Sequence, residues 1–306
     1  MQHNADKIDS LLRAPLEQFP GLDITRENVV QLRAAMAGMP KPETPFAIQS
    51  ESMTVRGEVD VPVQVYRESD RPNQPALLWI HGGGYLFGSA EDERAKLIAH
   101  THDVTVVSVE YRMAPEHPFP AGPNDCYTAL GWMFSDACPL DIDRSRIAIG
   151  GASAGGGMSA GLALMNRDKG NYPIVFQLLI YPMIDNLHET DSGSLEGHAI
   201  WHRKTSFNAW EMYLDGVPGE AASPYAAATR AKDLAGLPPA FVCVGAEDLF
   251  RDEDIDYARR LIAAGVPTEL VVVPGMYHGG ESMVPDAPVS QRLNQSIMTA
   301  IGHALA

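Results

Sequence analysis

Cysteine is scarce in this sequence: three residues in 306, an odd number that forms no disulfide framework. Cys126, Cys138 and Cys243 also lack the C-x-x-C spacing of a zinc or redox site. They read as reduced core thiols. Positive charge is short as well, with 23 Lys and Arg against 39 Asp and Glu and a net charge of −16. Most faces of such a protein repel a phosphate backbone, which excludes nucleic acid as a partner. No run of about 18 apolar residues occurs, so no helical membrane span is expected. The first twenty residues lack the basic, apolar and small-residue order of a secretory signal. With the reduced thiols, this predicts a cytoplasmic protein. Repeats, low-complexity tracts and linkers are absent too, and the length suits one large α/β domain with a sizeable core.

What is present is a change of period along the chain. Residues 7 to 38 predict two short amphipathic helices. Ile8, Leu11 and Leu12 share a face of the first; Val29, Leu32 and Met36 share a face of the second, after a Thr25 cap and before Gly38 and Pro40. From residue 48 to 67 the period falls to two, clearest at Val59, Val61, Val63 and Val65, with Arg56-Gly57-Glu58 as the turn between two antiparallel strands. Apolar strands follow at 76–80, 104–109, 146–150, 174–181, 240–244 and 269–273, separated by helical patterns. This alternation predicts an α/β fold with a mostly parallel sheet covered on both faces. Right-handed crossovers then set the strand C-termini along one edge, where chemistry is expected. From Asp185 to Pro239 the chain runs too far for one crossover. Segments 188–220 and 1–45 are therefore expected to form a helical cap, with Trp201, Phe207, Trp210 and Tyr213 either lining a pocket or anchoring the cap. For the N-terminal part, an arm packed on the core is the alternative.

The chemistry centres on Ile147-Ala148-Ile149-Gly150-Gly151-Ala152-Ser153-Ala154-Gly155-Gly156-Gly157, an apolar strand running into a serine flanked by small residues. In a G-x-S-x-G elbow the serine sits on a sharp turn between strand and helix, and side chains two positions either side would strike backbone. A second match, Gly157-Met158-Ser159-Ala160-Gly161, puts Ser159 more than a turn into the following helix, away from the sheet edge. Ser153 is the candidate nucleophile. Its hydroxyl needs a base, and of ten histidines only His278 comes directly off a core strand. His198 and His202 have the spacing of metal ligands but no nearby Glu or third ligand, so they read as surface or cap residues and no metal is expected. His117, in a Pro-rich loop, reads as structural.

An acid that orients the imidazole is offered by Phe241-Val242-Cys243-Val244-Gly245-Ala246-Glu247-Asp248, a strand ending in two carboxylates that compete for the role. Asp252, Glu253, Asp254 and Asp256 open the next helix and are accounted for by its positive N-terminal dipole. The order Ser153, Asp248, His278 is that of an elbow-type hydrolase and differs from other serine hydrolase scaffolds. His81-Gly82-Gly83-Gly84-Tyr85 follows another strand, and its glycines leave backbone N–H groups free to approach a substrate oxygen, joined by the N–H of Ala154. Neither a G-K-[ST] ending nor a G-x-G-x-x-G opening a helix is present, which excludes a phosphate loop.

These residues resemble the bacterial hormone-sensitive lipase-like esterases of the α/β-hydrolase fold. His81-Gly82-Gly83-Gly84 is similar to that family's oxyanion motif, and Gly151-Ala152-Ser153-Ala154-Gly155 to its nucleophile elbow. Glu110-Tyr111-Arg112-Met113-Ala114-Pro115-Glu116-His117-Pro118-Phe119-Pro120-Ala121 resembles a stretch between the two. The resemblance runs from about Leu77 to His278 and covers the cap segments only loosely. It implies a single α/β-hydrolase domain over 1–306, with Ser153 as nucleophile, Asp248 as acid and His278 as base. It also implies Gly83, Gly84 and Ala154 as oxyanion donors, no cofactor, small-molecule esters of short to medium acyl chain as substrates, and frequent homodimerisation. Two departures stand out: Asp248-Leu249-Phe250 where Asp-Pro-Leu is frequent, and Gly280 where an aromatic often follows the His-Gly pair. Neither removes a catalytic group. An amidase, lactonase or carbamate hydrolase could use the same triad, since leaving-group preference depends on pocket shape and proton delivery. Small-molecule receptors on this fold lack the triad histidine, and the presence of His278 argues against that class.

Overall fold

The computed structural model describes residues 5–18, 23–38, 44–170 and 172–306; Pro40, one of the expected helix terminators, lies outside them. Among the described residues eight strands form one sheet: β1 (Gln49–Val55), β2 (Val61–Arg67), β3 (Gln74–Ile80), β4 (Thr105–Val109), β5 (Ile142–Ala152), β6 (Phe176–Ile180), β7 (Ala240–Gly245) and β8 (Thr268–Val273). Their order across the sheet is β1-β2-β4-β3-β5-β6-β7-β8. β1 with β2 and β2 with β4 are antiparallel, and every later pairing is parallel. The helices among the described residues are α1 (Val29–Ala37), α2 (Glu93–His102), α3 (Ala121–Met133), α4 (Ala154–Lys169), α5 (Arg203–Leu214), α6 (Arg251–Ala263), α7 (Gly280–Met283) and α8 (Pro288–Ala304).

The two-residue period of a strand divides the core into two layers. On β3, Leu78 and Ile80 face one cluster, with Leu130 of α3 and Leu162 of α4, whereas Leu77 and Trp79 face the other, with Ile98 of α2 and Ile297 of α8. β3 and β4 are buried along their whole length, as a doubly covered sheet requires. β1, at the margin, is exposed at most positions. Val59 belongs to the turn and is exposed, so β2 begins its inward alternation at Val61, Val63 and Val65. Cys126, Cys138 and Cys243 are buried and unbridged. Among the described residues, no helix is long and apolar enough to cross a membrane.

The N-terminal expectation needs correction. In place of a first helix there are three short 3-10 turns at Ala5–Lys7, Ser10–Leu12 and Ala14–Glu17. The Asp9 carboxylate accepts from the Leu11 N–H at 2.9 Å, and Pro15 supplies no donor, so a continuous ladder of helical bonds cannot run through the segment. Ile8 and Leu12 are buried while Leu11 is exposed. The Asp9 N–H reaches the Gly275 carbonyl at 3.0 Å, tying this segment to the loop after β8. The second helix forms as α1, but its N-cap position is Asn28. Thr25 instead donates its N–H to the Asn28 side chain at 2.8 Å. Val29 is buried and Met36 exposed.

Arg33 fastens α1 to the body, donating from Nε to the Leu86 carbonyl at 2.8 Å and from Nη2 to the Ala114 carbonyl at 2.7 Å. The long β6–β7 connection carries α5, and its aromatics divide. Trp210 and Tyr213 are buried, with Tyr213 stacked on Tyr85 at 3.9 Å between centroids. Phe207 faces solvent. Trp201 alone of the four reaches the sheet edge where Ser153 stands.

Candidate active site

At the end of β5 the chain turns so sharply that Ser153 adopts φ 57°, ψ −121°, a conformation costing roughly 1–3 kcal/mol for a residue with a side chain. Surrounding hydrogen bonds hold it there. The Ser153 N–H donates to the Ile180 carbonyl at 2.9 Å, and its own carbonyl accepts from Gly157 and Met183, each at 2.9 Å. A Cβ at Gly155 would penetrate the Ile80 carbonyl oxygen and lie 2.6 Å from that of His81, and one at Gly151 would strike Ile80 as well. Only glycine fits at either position. Ser159, the other serine of the overlapping pattern, is fully buried and donates to the Gly155 carbonyl at 2.8 Å. It is part of the helix interior.

His278 stands on the loop after β8. The Ser153 hydroxyl donates to its Nε2 at 2.9 Å, and its Nδ1–H donates to Asp248 Oδ2 at 2.8 Å. A carboxylate can only accept, which fixes the proton of the neutral ring on Nδ1. Of the two competing carboxylates, Asp248 is the one that meets the imidazole. Its other oxygen accepts from the Phe250 N–H at 3.0 Å, so both oxygens are engaged in a fully buried position. Tyr181 and Phe250 stand at steep angles to the imidazole, at 4.8 and 5.0 Å between centroids.

The glycine loop lies opposite. Gly83 and Gly84 have φ of 113° and 62°, and the Gly83 carbonyl accepts from Leu86 and Phe87 at 3.0 and 2.9 Å. Among the described residues, the N–H groups of Gly83, Gly84 and Ala154 donate to no backbone carbonyl. For Ala154, the first residue of α4, that is the ordinary state of a helix N-terminus. His81 anchors the loop from below: burial pushes its pKa down, so the neutral ring donates from Nδ1 to the Gly82 carbonyl at 2.9 Å and stacks on Tyr111 at 4.2 Å. Ser153, His278 and the three glycines share a cavity of about 280 Å³ whose apolar walls are Tyr181, Ile200, Trp201 and Met283. A wider open groove of about 800 Å³ between α2 and α8 contains none of these residues.

Other sequence expectations meet a different structure. Of the two alternatives for His198, surface or cap, burial removes the first, and its ring nitrogens lie 3.2 and 3.0 Å from the carbonyls of Glu247 and Ser192. His202 caps α5, its Nδ1 accepting from the Thr205 N–H at 3.3 Å. Among the described residues no group of three or more His, Cys, Asp or Glu is arranged to hold a metal ion. Glu253 and Asp254 do stand in the first turn of α6, but both are buried, which the helix dipole alone does not account for. Glu253 Oε1 accepts from the N–H groups of Ile184 and Asp185 at 3.1 and 3.0 Å. Asp254 finds no partner for either oxygen among the described residues. Burial, and then the neighbouring charge of Asp185 for Glu253 and of Glu253 for Asp254, hold both pKa values well above the ordinary carboxylate range. Tyr181, which adjoins the imidazole, and Glu281, which accepts from the Tyr181 hydroxyl at 2.7 Å, carry no motif that pattern reading could find.

Known proteins resemble this chain in sequence and in fold. Residues 77–281 match the family model described as the alpha/beta hydrolase fold. The chain is 36% identical over 315 aligned positions to Carboxylesterase NlhH of Mycobacterium tuberculosis, covering 97% of this chain and 96% of that protein. Among solved structures, a bacterial heroin esterase superposes with a TM-score of 0.88 at 36% identity, over 98% of this chain and 99% of the other. Esterase LipW from Mycobacterium marinum gives 0.87 at 35%, over 99% and 98%. The chain belongs to the α/β-hydrolase family, in its hormone-sensitive lipase-like branch.

Proposed function

We propose that this chain is a carboxylic ester hydrolase that works through an acyl-enzyme on Ser153. The observation that carries the reading is the unbroken hydrogen-bonded line Ser153–His278–Asp248, with links of 2.9 and 2.8 Å, at the wall of a small apolar cavity. His278 Nε2 takes the hydroxyl proton as Ser153 Oγ attacks the ester carbonyl carbon. The carbonyl π electrons move onto oxygen, where the N–H groups of Gly83, Gly84 and Ala154 receive the charge. One such donor is typically worth about 3 kcal/mol in the transition state. Collapse of the tetrahedral intermediate breaks the bond to the leaving oxygen, which takes the proton back from His278. Water, deprotonated by the same imidazole, then releases the acid and restores Ser153. Asp248 holds the tautomer this cycle needs and stabilises the imidazolium.

The modest cavity, lined by Trp201 and Met283, supports short to medium acyl groups. Relatives of 36% and 33% identity bear the names carboxylesterase and esterase, in keeping with this chemistry. The cap is assigned to the segments before β1 and to 188–220. Contacts between residues 23–24 and α5 support it, with Lys204 paired to Asp23 at 2.7 Å and the Asn208 side chain donating to the Ile24 carbonyl at 2.8 Å. The reading includes action in the cytoplasm, where buried unbridged thiols are stable, and homodimerisation, which light scattering on the purified protein measures. The decisive experiment is turnover of p-nitrophenyl acetate and butyrate, with organophosphate labelling followed by peptide mass mapping. Ser153→Ala should lose both turnover and label while keeping its circular dichroism; turnover that survives in the variant sinks the mechanism.

A further inference from the structure

We infer that Glu281 is a positioning residue for His278, acting through Tyr181 and held in place by Arg94. The inference rests on the reading of His278 as the general base. Two hydrogen bonds, to Ser153 and Asp248, fix the imidazole within its own plane but do little to resist tilting out of it. That restraint falls to the two rings beside it. Phe250 is secured by its backbone bond to Asp248 and by full burial. Tyr181 sits just past the end of β6 at φ 34°, a strained position that its own backbone does not favour. Its N–H donates to the Cys243 carbonyl at 2.7 Å, which holds the backbone, and its hydroxyl fixes the far end of the ring, donating to Glu281 Oε1 at 2.7 Å.

The same carboxylate oxygen also receives Arg94 Nη2 at 2.6 Å and Ser282 Oγ at 3.0 Å. Glu281 has no exposure, so its charge depends on that guanidinium; a lone buried carboxylate would be strongly disfavoured. Arg94 reaches across from α2 and donates as well to Asn294 Oδ1 on α8 at 3.3 Å, anchoring the cluster to two helices of the body. The chain between His278 and Glu281 is Gly279-Gly280, the most pliable pair of residues available. Backbone bonds from Gly280 to the Tyr277 carbonyl and from Ser282 and Met283 to the Gly279 carbonyl shape this loop but leave the tilt of the imidazole to its side-chain contacts. The path from Glu281 through Tyr181 supplies that restraint, and small displacements of a reacting group are kinetically expensive.

The test uses Tyr181→Phe, which keeps the ring and deletes only its bond to Glu281, alongside Glu281→Gln, which keeps an acceptor. In Tyr181→Phe, kcat should fall about tenfold with KM within about twofold, and the acid limb of the pH profile should move. The low-field proton resonance of His278 Nδ1–H should shift or broaden in the same variant. Glu281→Gln should lose no more activity than Glu281→Ala. A purely structural role would lower the melting temperature and leave the resonance and kcat in place. Tyr181→Phe with kcat within twofold of wild type, or with an unchanged resonance, overturns the inference. Wild type and Ser153→Ala run in parallel separate the two levels. A wild-type protein inactive on every ester defeats the esterase reading, whereas an active wild type matched by Tyr181→Phe defeats the positioning role alone.

Discussion

Trp201 occupies the space that a side chain on Gly84 would need: a Cβ built there would lie 2.8 Å from the indole Cζ2. Residue 84 also requires φ 62°, so the backbone and the indole both demand glycine. Gly84→Ala should lower kcat about a hundredfold, because either the N–H leaves the oxyanion position or the indole is displaced. Steady-state kinetics on p-nitrophenyl butyrate decide it. A near-normal kcat would show that this N–H does not face the developing charge.

Under the proposed function Trp201, which lines the cavity beside Ser153, is the wall that limits chain length. Trp201→Leu should move the optimum of kcat/KM toward longer acyl chains across p-nitrophenyl esters from acetate to decanoate, by up to about tenfold per added methylene. An unchanged profile would place the acyl group on the other side of Ser153.

Asp248 and Glu247 adjoin in sequence but differ in what they touch. Asp248→Asn should reduce kcat by up to about 10,000-fold, since an amide can donate to Nδ1 and stabilise the wrong tautomer. Glu247→Gln should stay within about threefold, because the bond to the ring comes from residue 248. Paired kinetics at one pH suffice, and the reverse ranking would reassign the acid.

The strands and the three chemical motifs were legible because each leaves a local signature. Apolar runs mark β3 to β8, Gly151 and Gly155 mark a turn that only glycine enters, and His278 follows a strand directly. What pattern reading missed depends on tertiary contact. Residues 7–12 have helical apolar spacing, yet Asp9 takes the Leu11 N–H and the segment folds into 3-10 turns. His198 reads as an ordinary polar residue until the fold wraps two carbonyls around it. Glu253 and Asp254 look like first-turn acids of α6, and nothing local reveals that the helix turns them toward the sheet. The choice between Glu247 and Asp248 was likewise a matter of which way a side chain leaves the strand.

Asp254 gives the protein a stability term that depends on pH. Burial first, then Glu253 and Asp248, hold its folded-state pKa well above the ordinary 3.8. Below that ordinary value the carboxyl is protonated in both states and imposes no penalty. As pH rises past it, the unfolded chain releases its proton while the folded protein retains it, so stability falls until the folded-state pKa is passed. Asparagine, close in shape to the neutral acid, has no such linkage. Asp254→Asn should therefore match wild type near pH 4 and gain on it steadily toward pH 8, by at least about 2 °C in melting temperature. Glu253 stays in place in both proteins, so its own titration contributes to each curve. Calorimetric melting at several pH values reads the difference directly. A variant less stable than wild type at every pH would mean that Asp254 is ionised and satisfied in the fold.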